Sequence, residues 1–258
     1  MEAAAPIVKF TSLQKRYGDG PLVLRDINLA VRPGDFVTLI GPSGCGKSTV
    51  LKLVSGLSPW TAGDLTVAGV KPRQARDRQA FIFQDATLLP WLTAQANIEL
   101  PLRLRGRAAA ERAARAAEML DLVGLATARD YFPRQLSGGM KMRVSIARAL
   151  TLAPELLLLD EPFGALDEMT RNRLNEELLD LRATAPFTAM FVTHSVAEAV
   201  FLSNRILVMA AGPGRLHAEV AVDFPYPRTA TLRARPEFQA KVNEVSGLLH
   251  QVEEPVAP

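Results

Sequence analysis

The sequence predicts an α/β protein built on a mainly parallel sheet. Three observations predict it. From Leu156 onward, short apolar runs alternate with stretches of helical spacing, the mark of strand–helix–strand crossovers. Leu156–Leu159 is four consecutive leucines bounded by polar residues, which suits a strand buried on both faces. Gly41–Ser48 is a glycine-rich turn set between an apolar strand and a helix. With 258 residues, 48% of them hydrophobic, the chain suffices for one large domain or two lobes with a full core.

The elements follow in order. Ile7–Leu13 and Leu22–Val31 are rich in β-branched and alternating apolar residues, and the turn signal Gly18-Asp19-Gly20 separates them. After Pro33-Gly34-Asp35 comes a short apolar strand, Phe36–Gly41. Lys47–Leu57 places Val50, Leu51, Val54 and Leu57 on one helical face. Asp64–Ala68 and Ala80–Phe83 read as strands. Between Leu92 and Leu150 the character turns helical, with an alanine-rich helix over Arg107–Leu125 and a second over Gly138–Leu150. The strand Leu156–Leu159 is followed by helix Asp167–Ala183, strand Thr188–Thr193, helix Ala197–Leu202 and strand Arg205–Met209. Leu216–Val222 is one more alternating strand. Beyond the turn Pro225-Tyr226-Pro227, a last helix starts at Pro236, with Phe238, Val242, Val245 and Leu249 on one face. The final eight residues are expected to fray.

Charge and cysteine content narrow the function. Thirty basic against 27 acidic residues leave a net charge of +3, too small an excess for a dedicated nucleic-acid binder. A single cysteine, Cys45, excludes an internal disulfide and fits a reducing compartment. The opening MEAAAPIVKF has no signal-peptide pattern. No uninterrupted apolar run approaches the ~18 residues of a bilayer span, so a membrane role is expected to run through a partner. Arg103, Arg105, Arg107, Arg112 and Arg115 form a basic run, readable as a solvated helix face or as a surface near anionic headgroups.

Gly41-Pro42-Ser43-Gly44-Cys45-Gly46-Lys47-Ser48 matches G-x-x-x-x-G-K-[ST], with Thr49 following in the helix. The glycines let the backbone curl so that successive N–H groups point inward. The helix N-terminus adds partial positive charge for phosphate. Lys47 reaches the β and γ phosphates in this reading, and Ser48 holds Mg²⁺. Lys47 and the phosphate-site amides should favour the Cys45 thiolate; a buried, inert thiol is the alternative. Asp160 and Glu161 end the leucine strand, where ligands of open α/β sheets sit. Asp160 would face Mg²⁺ through water, and Glu161 would orient or deprotonate an attacking water. Leu136-Ser137-Gly138-Gly139-Met140 opens a helix, with Ser137 a natural N-cap and two glycines freeing the backbone to approach an anion.

At this point the chain resembles the ATP-binding subunits of ABC transporters, whose LSGGQ signature stands here as LSGGM. Further pieces agree in order: Tyr17 ahead of the glycine-rich loop, Gln84 at a strand end, Asp160-Glu161-Pro162, Gly164-Ala165-Leu166-Asp167 and Thr193-His194. The likeness runs from about Ile7 to Asp223. It implies a P-loop NTPase (RecA-like) core with an antiparallel β subdomain and an inserted α-helical subdomain at about 88–152. The ATP-binding domain would cover 1–222, and 223–258 would be a short C-terminal extension with a helix. The resemblance further implies a head-to-tail pair of ATP-binding subunits. Each ATP would lie between Gly41, Ser43, Gly44, Cys45, Gly46, Lys47, Ser48 and Thr49 of one copy and Ser137, Gly138 and Gly139 of the other. Tyr17 would stack on adenine; a sheet-packing aromatic is the plainer alternative. Ser48, Gln84 and Asp160 would serve Mg²⁺, Glu161 would be the base and His194 would touch the γ-phosphate. Asp167 would sit at the dimer seam, cap its own helix, or do both. Met140 and Ser195 depart from the family's usual glutamine and aspartate.

LSGGM, together with Asp160-Glu161-Pro162-Phe163-Gly164-Ala165-Leu166-Asp167 and Leu88-Leu89-Pro90-Trp91, resembles the nitrate, sulfonate and taurine importer branch, as does Phe201-Leu202-Ser203-Asn204-Arg205 running into Gly212-Pro213-Gly214-Arg215. About 35 residues follow Asp223, too few for the large regulatory domain of sugar-importer ATPases. The implied partners are transmembrane permease subunits and, indirectly, a solute-binding protein, with no nucleic acid. The implied location is the cytoplasmic face of the membrane, as a peripheral subunit. Leu89 and Trp91 would meet the permease, or the loop would simply pack the helical lobe onto the sheet. A soluble ABC ATPase acting on nucleic acid or the ribosome, and an exporter half, are the competing readings.

Overall fold

The computed structural model describes residues 5–253. Nine strands and seven α-helices are resolved among them. β1 (Val8–Arg16), β2 (Leu22–Val31) and β4 (Ala62–Val67) form an antiparallel sheet in the order β2-β1-β4. β3 (Phe36–Ile40), β5 (Gln79–Ile82), β6 (Leu156–Asp160), β7 (Thr188–Val192), β8 (Arg205–Ala210) and β9 (Arg215–Ala221) form the second, in the order β5-β6-β7-β3-β8-β9. All its pairs are parallel except β8 with β9.

The leucine run shows why the large sheet sits at the centre. Leu157 and Leu159 join one hydrophobic cluster, Leu156 and Leu158 the other. Phe36 and Ile40 of β3 face the first cluster, and Val37 and Leu39 the second, as the two-residue period requires. The second cluster is closed by the antiparallel sheet and by Val50, Leu51, Leu53 and Val54 of α1 (Lys47–Val54). The first is closed by helices. These are α2 (Ala94–Leu104), α3 (Ala109–Leu122), α4 (Gly138–Leu150), α5 (Glu168–Thr184), α6 (Val196–Leu202) and α7 (Pro236–Glu253).

The differences from the sequence reading have local causes. α1 stops at Val54 rather than Leu57, because Gly56 takes φ +71°. A Cβ at Gly56 would also meet the Arg73 backbone N at 3.0 Å. β1 runs on past Leu13 to Arg16, carried through an irregular register by Ser12 at φ 44°. α2 falls within the implied helical subdomain at about 88–152, where the sequence reading assigned no separate helix, and it carries Pro101 inside it. The last helix starts at Pro236 as expected, with Phe238 and Val245 buried in the main core. Of the residues expected to fray, 251–253 continue that helix and 254–258 lie outside the described residues. Four of the five basic-run arginines meet carboxylates: Arg105 with Asp77, Arg107 with Glu111, Arg112 with Glu99 and Arg115 with Glu118. That favours the solvated, paired face over a headgroup surface.

Candidate active site

β6, β7 and β3 are neighbours, and their carboxyl ends bring the motifs to one edge. The glycine-rich loop leaves β3 and enters α1 at Lys47. Gly46 has φ +97°, and a Cβ there would meet Leu24 Cδ2 at 2.5 Å, so only glycine fits. At Gly41 a Cβ would strike the Met209 carbonyl oxygen at 2.5 Å. The Lys47 ammonium is held within the loop, donating to the carbonyls of Gly41 at 2.7 Å and Pro42 at 3.0 Å. Ser43 and Gly44 are exposed on the loop, and Ser48 and Thr49 lie half-buried in the first turn of α1.

Ser48 Oγ donates to Asp160 Oδ1 at 2.8 Å, joining the helix start to the end of β6. Burial raises the Asp160 carboxyl above its ordinary range; the Ser48 hydrogen bond opposes this and the nearby Glu161 charge adds to it. Glu161 itself has φ 47°, a left-handed conformation that costs a non-glycine residue roughly 1–3 kcal/mol. Its N–H donates to the Val192 carbonyl at 3.0 Å, and its carbonyl accepts from the Gly164 N–H at 3.1 Å. The turn delivers Glu161 Oε2 to 3.5 Å from His194 Nδ1. Gln84 approaches the same turn, its Nε2 3.6 Å from the place of a Gly164 Cβ.

The remaining candidates fall at the rim. Tyr17 is 50% exposed, with Lys15 Nζ 4.1 Å from its ring centroid, so it is no core aromatic. Ser137 caps α4 by accepting from the Met140 N–H at 3.3 Å, and Ser137 and Gly138 are exposed while Gly139 is half-buried. These residues are far in sequence from Lys47 and are not joined to it by any hydrogen bond among the described residues. Asp167 caps α5, accepting from the Thr170 N–H at 2.9 Å, and that bond lowers its carboxyl's pKa. Both departures acquire a physical account. Met140 packs against the main hydrophobic cluster. Ser195 caps α6, accepting from the Glu198 N–H at 3.3 Å.

Cys45 corrects the thiolate reading. Its side chain is fully buried, and burial pushes the thiol's pKa up; Lys47, with Nζ 3.9 Å from Sγ, offsets this only partly. The place of Cys45 in the loop stands, and the buried-thiol alternative is the one this packing supports. Trp91 is 69% exposed, whereas Leu88 packs on the core, so packing accounts for the leucine and not the tryptophan.

Sequence reasoning missed the residues that hold these loops. Asn97, fully buried in α2, accepts from the Leu89 N–H and donates to the carbonyls of Leu89, Leu92 and Thr93. Arg148 of α4 donates to the carbonyls of Ala86 and Thr87, tying the signature helix to the segment after Gln84. The only signal was a polar residue on an apolar helical face, which spacing alone does not distinguish from a solvated one.

A glycine-rich loop with its lysine, beside a desolvated aspartate and a following glutamate at the strand ends, is the arrangement of a P-loop ATPase. Residues 24–164 match the ABC transporter family, and the chain belongs to it as an ABC-type ATPase. It is 46% identical over 240 residues to an ATP-binding protein of Brucella abortus (strain 2308), covering 93% of this chain and 92% of that one. It is 44% identical over 220 residues to the aliphatic sulfonates import ATP-binding protein SsuB of Bacillus cereus (strain ATCC 10987 / NRS 248), covering 85% and 86% respectively. Among solved structures it is similar to a dimeric ATP-binding cassette in a post-hydrolysis state bound to ADP and Pi. There the TM-score is 0.74 at 33% identity, over 84% of this chain and 100% of the other. No helix among the described residues is long and apolar enough to cross a membrane.

Proposed function

We propose that this chain is the ATP-hydrolysing subunit of a membrane importer for a small organic anion of the sulfonate kind. It would work as a head-to-tail dimer bound peripherally to permease subunits, with a solute-binding protein delivering the anion. The observation that carries the catalytic part is the convergence of Lys47, Asp160, Glu161 and His194 at the ends of three adjacent strands. The importer part is supported by the likeness to the sulfonate import protein over most of both chains.

ATP would lie with its phosphates in the Gly41–Thr49 loop, its adenine on Tyr17, and its γ-phosphate facing Ser137, Gly138 and Gly139 of the second copy. The residues present suit Mg²⁺. A hydroxyl, Ser48, and a desolvated carboxyl, Asp160, already stand 2.8 Å apart, and Gln84 adds a carbonyl; hard oxygen donors are what this ion takes. When bound it would neutralise phosphate charge. Glu161 accepts a proton from water as the water oxygen attacks the γ-phosphorus. The bond from that phosphorus to the β–γ bridging oxygen breaks, giving ADP and phosphate. Lys47 and the signature helix N-terminus stabilise the charge on the transferring group, and His194 contacts the γ-phosphate beside Glu161. Loss of the bridging phosphate lets the two copies part, and Leu89 and Trp91 convey that movement to the permease.

Glu161→Gln tests the core of this reading. ATP binding should persist, while turnover falls by about 10²–10⁴, the range of general-base assistance. An ATP-bound dimer should accumulate, visible as a doubled mass by light scattering with MgATP. Near-normal turnover overturns the assignment of Glu161.

A further inference from the structure

α6 carries a buried carboxylate that the scheme above does not use. Glu198 is 6% exposed and lies among Thr193, at 2%, and Asn175, at 1%. The Thr193 hydroxyl donates to Glu198 Oε2. The same hydroxyl oxygen accepts from the Ser195 N–H at 3.0 Å, and the Ser195 side chain accepts from the Glu198 N–H at 3.3 Å. Three residues thus close a ring around the backbone of His194, the residue between Thr193 and Ser195. Burial raises the Glu198 carboxyl, while Thr193, Asn175, Arg171 and His194 each favour its charged form.

A buried carboxyl of this kind is costly to keep. The residues around it reach into α5: Arg171 Nη2 donates to the Leu166 carbonyl, just before Asp167, which caps α5. Glu198 Oε1 and Arg171 Nε have no hydrogen-bond partner among the described residues. Asn175 and Arg171 of α5, the helix that Asp167 caps, both act on the Glu198 carboxyl. An apolar residue at 198 would spare the desolvation and pack as well. The carboxyl holds one thing an apolar side chain cannot, the Thr193 hydroxyl.

We propose that Glu198 is a positioning residue for hydrolysis: through Thr193 it fixes the loop that aims His194. The proposal rests on the reading of His194 as a γ-phosphate contact. Glu198 touches no phosphate itself. Its removal should slow the chemical step without weakening ATP binding, because the Lys47 loop belongs to other elements. Misplacing a contact by about 1 Å costs on the order of 100-fold.

The test is steady-state ATPase activity of the full chain, with thermal unfolding followed in parallel. Glu198→Ala should lower kcat by about 10- to 100-fold, with KM for ATP changed less than about threefold and the protein folded at the assay temperature. Glu198→Gln keeps an acceptor for the Thr193 hydroxyl and should restore most of the rate. In a His194→Ala background, Glu198→Ala should cost little more, because the residue it positions is gone. Should Glu198→Ala not fold, Thr193→Val breaks the same bond and is held to the same outcomes. A loss that stays undiminished in the His194→Ala background overturns the proposal, as does a loss that merely tracks the unfolded fraction. Normal hydrolysis by His194→Ala alone overturns the His194 reading, and the proposal with it.

Discussion

Asn97→Ala should destabilise the protein by about 2 kcal/mol, and the figure follows from which groups lose their partners. Asn97 is fully buried and makes four hydrogen bonds to the loop that presents Trp91. Two survive its removal in substance: the Leu89 carbonyl still accepts from the Leu92 N–H, and the Thr93 carbonyl from the Asn97 N–H. The Leu89 N–H and the Leu92 carbonyl keep no other partner among the described residues. An orphaned buried group costs about 1–3 kcal/mol. Both groups are only part-buried, which puts each near the low end. Asn97→Asp should be worse than alanine, since it would set a carboxylate against three carbonyl oxygens in place of an amide donor. Equilibrium urea unfolding of the two variants measures this directly. A loss under about 0.5 kcal/mol for alanine, the ordinary surface range, would refute the claim that Asn97 holds the loop. So would an aspartate variant as stable as wild type.

Trp91→Ala should leave urea stability within about 0.5 kcal/mol of wild type, because the side chain is mostly exposed. It should weaken co-purification with the permease by about 2 kcal/mol, the hot-spot range; unchanged assembly would reject Trp91 as an anchor. Cys45 should react with maleimide only on the timescale of unfolding, since its buried thiol resists ionisation; prompt stoichiometric labelling of the native protein would contradict the packing. Burial pushes the Asp35 carboxyl up, but hydrogen bonds from the Arg32 N–H, Arg205 and Asn204 outweigh it and hold its pKa below the usual aspartate range. A lowered folded value means stability is full above the unfolded value and lost as pH falls through the folded one. Denaturant midpoints should therefore drop below about pH 4, and Asp35→Asn should flatten that acid limb.

Much of the site was legible because its chemistry is local. The Gly41–Ser48 loop needs glycines that a particular backbone path demands, and a spacing records that need whatever the surroundings are. Asp160 and Glu161 were readable from the leucine run before them, which marks a buried strand and therefore its carboxyl end. Ser137 and Asp167 are caps, and capping is decided within four residues. The family resemblance then implied that these pieces belong to one site shared between two copies.

Other features depend on what stands opposite in space. Cys45 lies in a motif full of positive potential, yet tertiary packing seals its thiol away, and desolvation outweighs the lysine 3.9 Å from it. α2 carries Pro101 inside it, and its burial against α3 and α4 makes the helix worth forming there. Asn97, Arg148 and Glu198 look like ordinary polar residues in the sequence. Their partners lie on other turns and other elements, and one of them sits 62 residues away along the chain. The sequence by itself determined the class of sheet, the glycine-rich loop and the carboxylate pair, because backbone geometry and short-range hydrogen bonding are written in neighbouring residues. Which polar side chains are buried, and which loops they hold, was decided only by the tertiary structure, because the cost of burying a polar group is set by partners that the fold alone brings near.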